Sequence, residues 1–136
     1  MQFITSNFLP ISLAFASGLM FIWSVFGNRI RGIKEVDIHA ALQLINHKNA
    51  LVLDVREPNE FKAGHLLNAQ LIPLGKLKER IGELAKYKDQ PVLVVCRTDN
   101  RSGMACATLN KQGFTQAYNM TGGMLAWQKA NLPTQK

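Results

Sequence analysis

Charge is missing from the start of this sequence. Residues 1–28 contain no Asp, Glu, Lys or Arg, so all 16 basic and 9 acidic residues, and the whole formal net charge of +7, belong to residues 29–136. Cysteine is scarce: there are two, Cys96 and Cys106. That count excludes a disulfide framework and fits a reducing compartment with one working thiol. The three histidines, His39, His47 and His65, are scattered without ligand spacing to the cysteines, so no metal site is expected. No organic cofactor is expected either. The basic balance lacks a basic run or interleaved aromatics, which argues against nucleic acid and for anionic lipid or small anionic substrates. Internal repeats and low-complexity stretches are absent. The 47% apolar content excludes a disordered tail, and 136 residues suffice for one domain and little more.

The uncharged run Phe8–Phe26 reads FLPISLAFASGLMFIWSVF. At about 1.5 Å per residue it nearly spans a ~30 Å hydrocarbon core, with Pro10 near its start and Trp23 near one end. No Lys or Arg precedes it and no small-x-small cleavage pattern succeeds it, which disfavours a signal peptide. Residues 1–27 are therefore expected to form a transmembrane helix and 28–35 a basic linker. Arg29, Arg31 and Lys34 predict that the remainder, 36–136, faces the cytoplasm from the inner (cell) membrane.

Beyond the linker, helix and strand patterns alternate. Asp37 can cap a helix with Ile38, Ala41, Leu42 and Ile45 on one face. Leu51–Val55 and Val92–Val95 are short apolar runs rich in β-branched residues, the pattern of fully buried strands. Ala69–Ile72 and Gln116–Asn119 read as shorter strands. Pro58–Lys62, Leu74–Leu84, Ser102–Gln112 and the segment after Gly122-Gly123 read as helical. This alternation predicts an α/β domain with a central, mostly parallel sheet and helices on both faces. Chemistry in such sheets gathers at the C-terminal ends of strands, where Cys96 directly succeeds Val92–Val95.

The segment Cys96-Arg97-Thr98-Asp99-Asn100-Arg101 joins that strand to a helix. The strand is expected to deliver Cys96 to the surface. Turn N–H groups, the positive end of the helix and two arginines all favour thiolate over thiol, and the same donors can hold an incoming oxyanion. Cys106, among apolar helix residues, reads as a small core side chain. Asp54 and Arg56 suit an internal salt bridge or loop-orienting pair, and His65 a structural hydrogen bond.

From about Val36 to Pro133 the sequence resembles single-domain rhodaneses, the thiosulfate-type sulfurtransferases. The resemblance rests on ordered motifs: Asp54-Val55-Arg56; Glu60-Phe61-x-x-Gly64-His65; Ala69-x-x-Ile72-Pro73; Cys96-Arg97-x-x-Asn100-Arg101-Ser102; and Gly122-Gly123-x-x-Ala126-Trp127. It implies a rhodanese-like fold and a catalytic Cys96 that carries sulfur as a persulfide between a small sulfane donor and a thiol or protein acceptor. Backbone N–H groups from Arg97 through Arg101 would hold the persulfide, and Arg97 and Arg101 would meet an anionic donor. The Cys-x4-Arg spacing is one residue shorter than the Cys-x5-Arg of phosphatases of the same fold. Many bacterial relatives have Gly where this chain has Asp99, a position the left-handed backbone region would suit. A loop carboxylate opposes an anionic donor, so a membrane-tethered sulfur relay or interaction module with little small-molecule turnover is the alternative.

Overall fold

The computed structural model describes residues 5–30 and 32–136, with side chains of 24–30 not described. Two compact units divide at Gly32 and Ile33. The first is a helix, α1 (Phe8–Ile30). Among the described residues no helix is long and apolar enough to cross a membrane. The expected transmembrane helix over 1–27 thus lacks support, and residues 1–4 and Arg31 lie outside the described residues. Apolar side chains on α1 are nonetheless open, Phe15 and Met20 at 72% and 76% exposure.

The second unit holds five strands: β1 (Lys34–Val36), β2 (Leu51–Asp54), β3 (Gln70–Leu71), β4 (Val92–Val95) and β5 (Ala117–Met120). They form one sheet in the order β1-β5-β4-β2-β3, every pair parallel. The structure starts β1 at Lys34, inside the stretch read as linker. Along β4 the side chains alternate between two cores. Val92, Val94 and Cys96 join Leu53, Val55, Ile72, Leu77, Leu84 and the helix residues Ala105, Cys106 and Leu109. Leu93 and Val95 pack with Ala41, Val52, Leu66, Met120, Met124 and Trp127 on the other face. A strand sandwiched between two apolar layers reads as an unbroken apolar run because both sides of its pleat are buried.

The covering helices are α2 (Ile38–His47), α3 (Pro58–Ala63), α4 (Leu77–Arg80), α5 (Asn100–Lys111) and α6 (Gly123–Lys129). Asp37 caps α2, its Oδ1 accepting from the Ala40 N–H at 2.8 Å. The Leu74–Leu84 periodicity resolves into one turn of α-helix, α4, between two tighter 3-10 segments, Leu74–Lys76 and Ile81–Tyr87. Three-residue turns let Leu77 and Leu84 both reach the core without a continuous α-helix.

Candidate active site

Cys96 leaves the C-terminal end of β4, and α5 begins four residues later at Asn100. The side chain is 1% exposed, so the strand does not deliver it to the surface as expected. Alternation places it on the face of Val92 and Val94, turned inward, where its Sγ lies 3.2 Å from Ser102 Oγ.

The loop takes its shape from the start of α6. Met124 donates its N–H to the Cys96 carbonyl at 2.9 Å, and Leu125 donates to the Arg97 carbonyl at 3.2 Å. These are first-turn donors with no partner inside their own helix. The fit requires glycine at 123. Its φ is +54°, and a Cβ there would collide with the carbonyl oxygens of Cys96 and Thr98. Gly122, at φ +75°, makes the turn into the helix. With these carbonyls claimed by α6, the loop's amides are left over. Among the described residues no backbone carbonyl accepts from the N–H of Arg97, Thr98 or Asp99. Together with the first N–H groups of α5 they constitute the donors available to an anion.

The loop's charged groups are unequally committed. Arg101 forms a two-pronged pair with Glu60 of α3, Nη1 to Oε1 at 2.6 Å and Nη2 to Oε2 at 3.0 Å. The hydrogen bonds from Arg101 hold the Glu60 carboxyl down at about 2, and Glu60 in turn raises Arg101. Arg97 is exposed and makes no ion pair among the described residues. Asp99 has φ −149°, so it does not occupy the left-handed region expected for it. Its carbonyl, not its carboxylate, does the local work, accepting from Gly103 N–H at 3.0 Å and from Asn119 Nδ2 at 3.2 Å. Thr98 is half-buried and Asn100 exposed.

Asp54 and Arg56 sit at the end of the neighbouring strand β2, 1% and 5% exposed. Arg56 Nη2 donates to Asp54 Oδ2 and to the Gly64 carbonyl, both at 2.8 Å, and the Arg56 N–H reaches Asp54 Oδ1 at 3.0 Å. The pair therefore ties β2 to the end of α3, the helix that supplies Glu60. His65 stacks on Phe61 with ring centroids 3.6 Å apart, and its Nδ1 lies 2.8 Å from the Phe61 carbonyl. Cys106 is fully buried, and desolvation pushes its thiol up to about 12, leaving it protonated and inert.

Sequence reasoning passes over Asn119, which reads only as the last residue of a strand. It is fully buried and accepts a hydrogen bond from Ser102 Oγ at 2.5 Å. An amide inside a strand whose other members are packed in the core is the available signal.

Fold and loop together define a parallel α/β domain with a buried cysteine where a central strand passes into its loop. The model for the rhodanese-like domain matches residues 37–130, and the chain belongs to that family. Among curated relatives, the uncharacterized protein YqhL of Bacillus subtilis is 47% identical over 81 residues, covering 60% of this chain and 63% of the relative. The thiosulfate sulfurtransferase GlpE of Vibrio cholerae is 36% identical over 101 residues, covering 74% and 93%. Among solved structures, the polysulfide-sulfur transferase homodimer of Wolinella succinogenes superposes with a TM-score of 0.72 at 28% identity, covering 87% of this chain and 88% of that one.

Proposed function

We propose that this chain is a sulfurtransferase in which Cys96 carries sulfane sulfur from thiosulfate or a persulfide donor to a thiophilic acceptor. The observation that carries the reading is the loop from Cys96 to Arg101, where α6 occupies the Cys96 and Arg97 carbonyls and the N–H groups of Arg97, Thr98 and Asp99 meet no backbone carbonyl among the described residues. In the first step the Cys96 thiolate attacks the outer sulfur of the donor. A new S–S bond forms, the donor's S–S bond breaks, and sulfite (or a thiolate) leaves with the electron pair. In the second step an acceptor thiolate attacks the outer sulfur of the Cys96 persulfide, and the Cys96 thiolate departs. Loop amides hold the anionic sulfur in both steps. The reaction uses no external oxidant and needs no cofactor. The short Cys-x4-Arg ring suits one sulfur better than a tetrahedral phosphate.

Charge at the loop favours a persulfide over thiosulfate as donor. Arg101 is neutralised by Glu60, and Asp99 adds a carboxylate to the loop's formal charge. A sulfur relay between thiols asks less of the site than a doubly charged donor does. Intact-mass measurement tests both readings. The chain is incubated with thiosulfate or with a low-molecular-weight persulfide, and one added sulfur atom is sought. Cys96→Ser must abolish the gain and Cys106→Ser must not; retention after Cys96→Ser would end the assignment.

The chain's location is part of the same proposal. α1 exposes Phe8, Leu9, Leu13, Phe15, Leu19, Met20 and Phe21, and Arg29, Arg31 and Lys34 come after its apolar part. These support association with the cell membrane, the domain lying on the cytoplasmic side where a thiol stays reduced. A labelling reagent that cannot cross membranes should then miss the chain in intact cells; labelling there would refute the orientation.

A further inference from the structure

A chain of buried polar atoms runs beneath the reactive sulfur: Cys96 Sγ, Ser102 Oγ at 3.2 Å, Asn119 Oδ1 a further 2.5 Å on, and from Asn119 Nδ2 to the Asp99 carbonyl at 3.2 Å. Ser102 and Asn119 are both at 0% exposure. We propose that Ser102 and Asn119 are positioning residues that sense whether Cys96 Sγ carries a proton and couple that state to the Asp99 peptide at the head of α5. For its use in turnover this rests on the sulfur-carrier reading; the coupling itself concerns only the thiol.

Counting protons fixes the direction of each bond. A serine hydroxyl has one proton to give, and Ser102 gives it to Asn119 Oδ1. Asn119 cannot reverse its amide freely, because Nδ2 donates to the Asp99 carbonyl and a flipped amide would set two oxygens against each other. At its contact with Cys96, Ser102 Oγ is therefore an acceptor, and the donor is the Cys96 S–H. The arrangement matches the protonated thiol. Once the proton leaves, Sγ can only accept, and a persulfide makes the same demand because its inner sulfur carries no proton. Ser102 must then swing its proton to Sγ. Asn119 Oδ1 loses its donor in a site closed to solvent, which is costly for a buried acceptor. The amide is released to turn, and its bond to Asp99 changes with it. Loading of the sulfur thus reaches the peptide from which α5 starts.

The charged or titratable groups around Cys96 are Arg97, Asp99 and Arg101 of its own loop, Glu60 of α3 acting on Arg101, the closed Asp54–Arg56 pair at the end of β2, and Cys106 of α5. None is removed by substitution at Ser102 or Asn119, and only Asn119→Asp adds a charge.

The test is the pH profile of alkylation by iodoacetamide in the full-length chain, with the adduct located by peptide mass. Asn119→Ala frees the Ser102 proton for the thiolate and should lower the Cys96 midpoint by about one pH unit. Ser102→Ala removes the donor and should raise it. In the Ser102→Ala background, Asn119→Ala should have no further effect. Asn119→Asp, nearly isosteric, holds the Ser102 proton more tightly and also adds a charge, so it should raise the midpoint more with Ser102 present than in the Ser102→Ala background. The proposal is overturned if Asn119→Ala leaves the midpoint in place or raises it, or shifts it equally with and without Ser102. Should Asn119→Ala not fold, Asn119→Asp decides: a midpoint that stays or falls, or that rises equally with and without Ser102, overturns it. Alkylation needs no sulfur donor, so a chain that accepts no sulfur would sink the transfer reading and leave this result standing.

Discussion

Replacing Gly123 by alanine should disable the loop at Cys96 without touching the cysteine. The φ of +54° costs an L-residue about 1 kcal/mol. The added Cβ cannot coexist with the Cys96 and Thr98 carbonyls, which are backbone and cannot rotate aside, so α6 and the loop must separate. Separation weakens two hydrogen bonds, from Met124 N–H and Leu125 N–H, each worth about 1 kcal/mol net. The expected loss of stability is about 2–4 kcal/mol, read as a lowered urea midpoint. The expected loss of sulfur loading is about 100-fold or more, because misplacement of reacting groups by an ångström is penalised on that scale. Gly122→Ala is the matched control. It carries the same backbone strain at φ +75°, but its Cβ would meet the Ala126 side chain rather than the loop. It should lose comparable stability and keep most of its loading rate at temperatures where it stays folded. If Gly123→Ala loads sulfur like the wild type, or if Gly122→Ala loses as much, then α6 does not shape the loop.

Other substitutions probe the ion pairs and the second thiol. Asp54→Ala leaves Arg56 buried without its carboxylate and should cost about 3–5 kcal/mol in chemical denaturation; an unchanged midpoint would contradict the burial. Glu60→Gln should cost only about 1 kcal/mol, the pair being partly exposed, and by freeing the Arg101 charge it should lower the KM for thiosulfate. The folded Glu60 carboxyl is held at about 2, below its ordinary 4.5, so its stabilisation is complete above pH 4.5 and fades as pH falls towards 2. Glu60→Gln should remove that component of acid sensitivity, seen by comparing thermal midpoints at about pH 6 and at about pH 3. Iodoacetamide at neutral pH should modify Cys96 and spare Cys106, whose thiol is pushed to about 12; a Cys106 adduct on folded protein would refute its burial.

The parts of the fold legible in the sequence are those where side chains carry the signal. Val92–Val95 stands out because both of its faces are buried, and the order of Asp54, Glu60, Cys96 and Gly122-Gly123 marks the rhodanese-like pattern by residue identity alone. Strand β1 escapes because Lys34 and Glu35 are exposed edge residues that contribute backbone pairing to β5, and pairing leaves no trace in hydropathy. The inward turn of Cys96 is implicit in the two-residue period it shares with Val92 and Val94, but a loop residue need not continue the pleat of its strand. Asp99 misleads for the opposite reason. Substitution for glycine suggests a left-handed backbone, whereas the positive-φ turn is made at Gly122 and Gly123, on the helix packed against the loop. Asn119 owes its role to a neighbour 17 residues earlier in the chain, a relation no local pattern encodes.

The strand order also bears on how the site comes into being. The domain's first strand pairs with its last, Lys34–Val36 beside Tyr118–Met120, and the segment that organises the Cys96 loop begins only at Gly122. A chain leaving the ribosome therefore exposes Cys96 well before the segment that shapes its loop exists. Such distant pairings form late, so the loop takes its shape with completion of the sheet rather than with synthesis of the cysteine. A nascent chain stopped short of Gly122 has the thiol but not the helix that holds its loop.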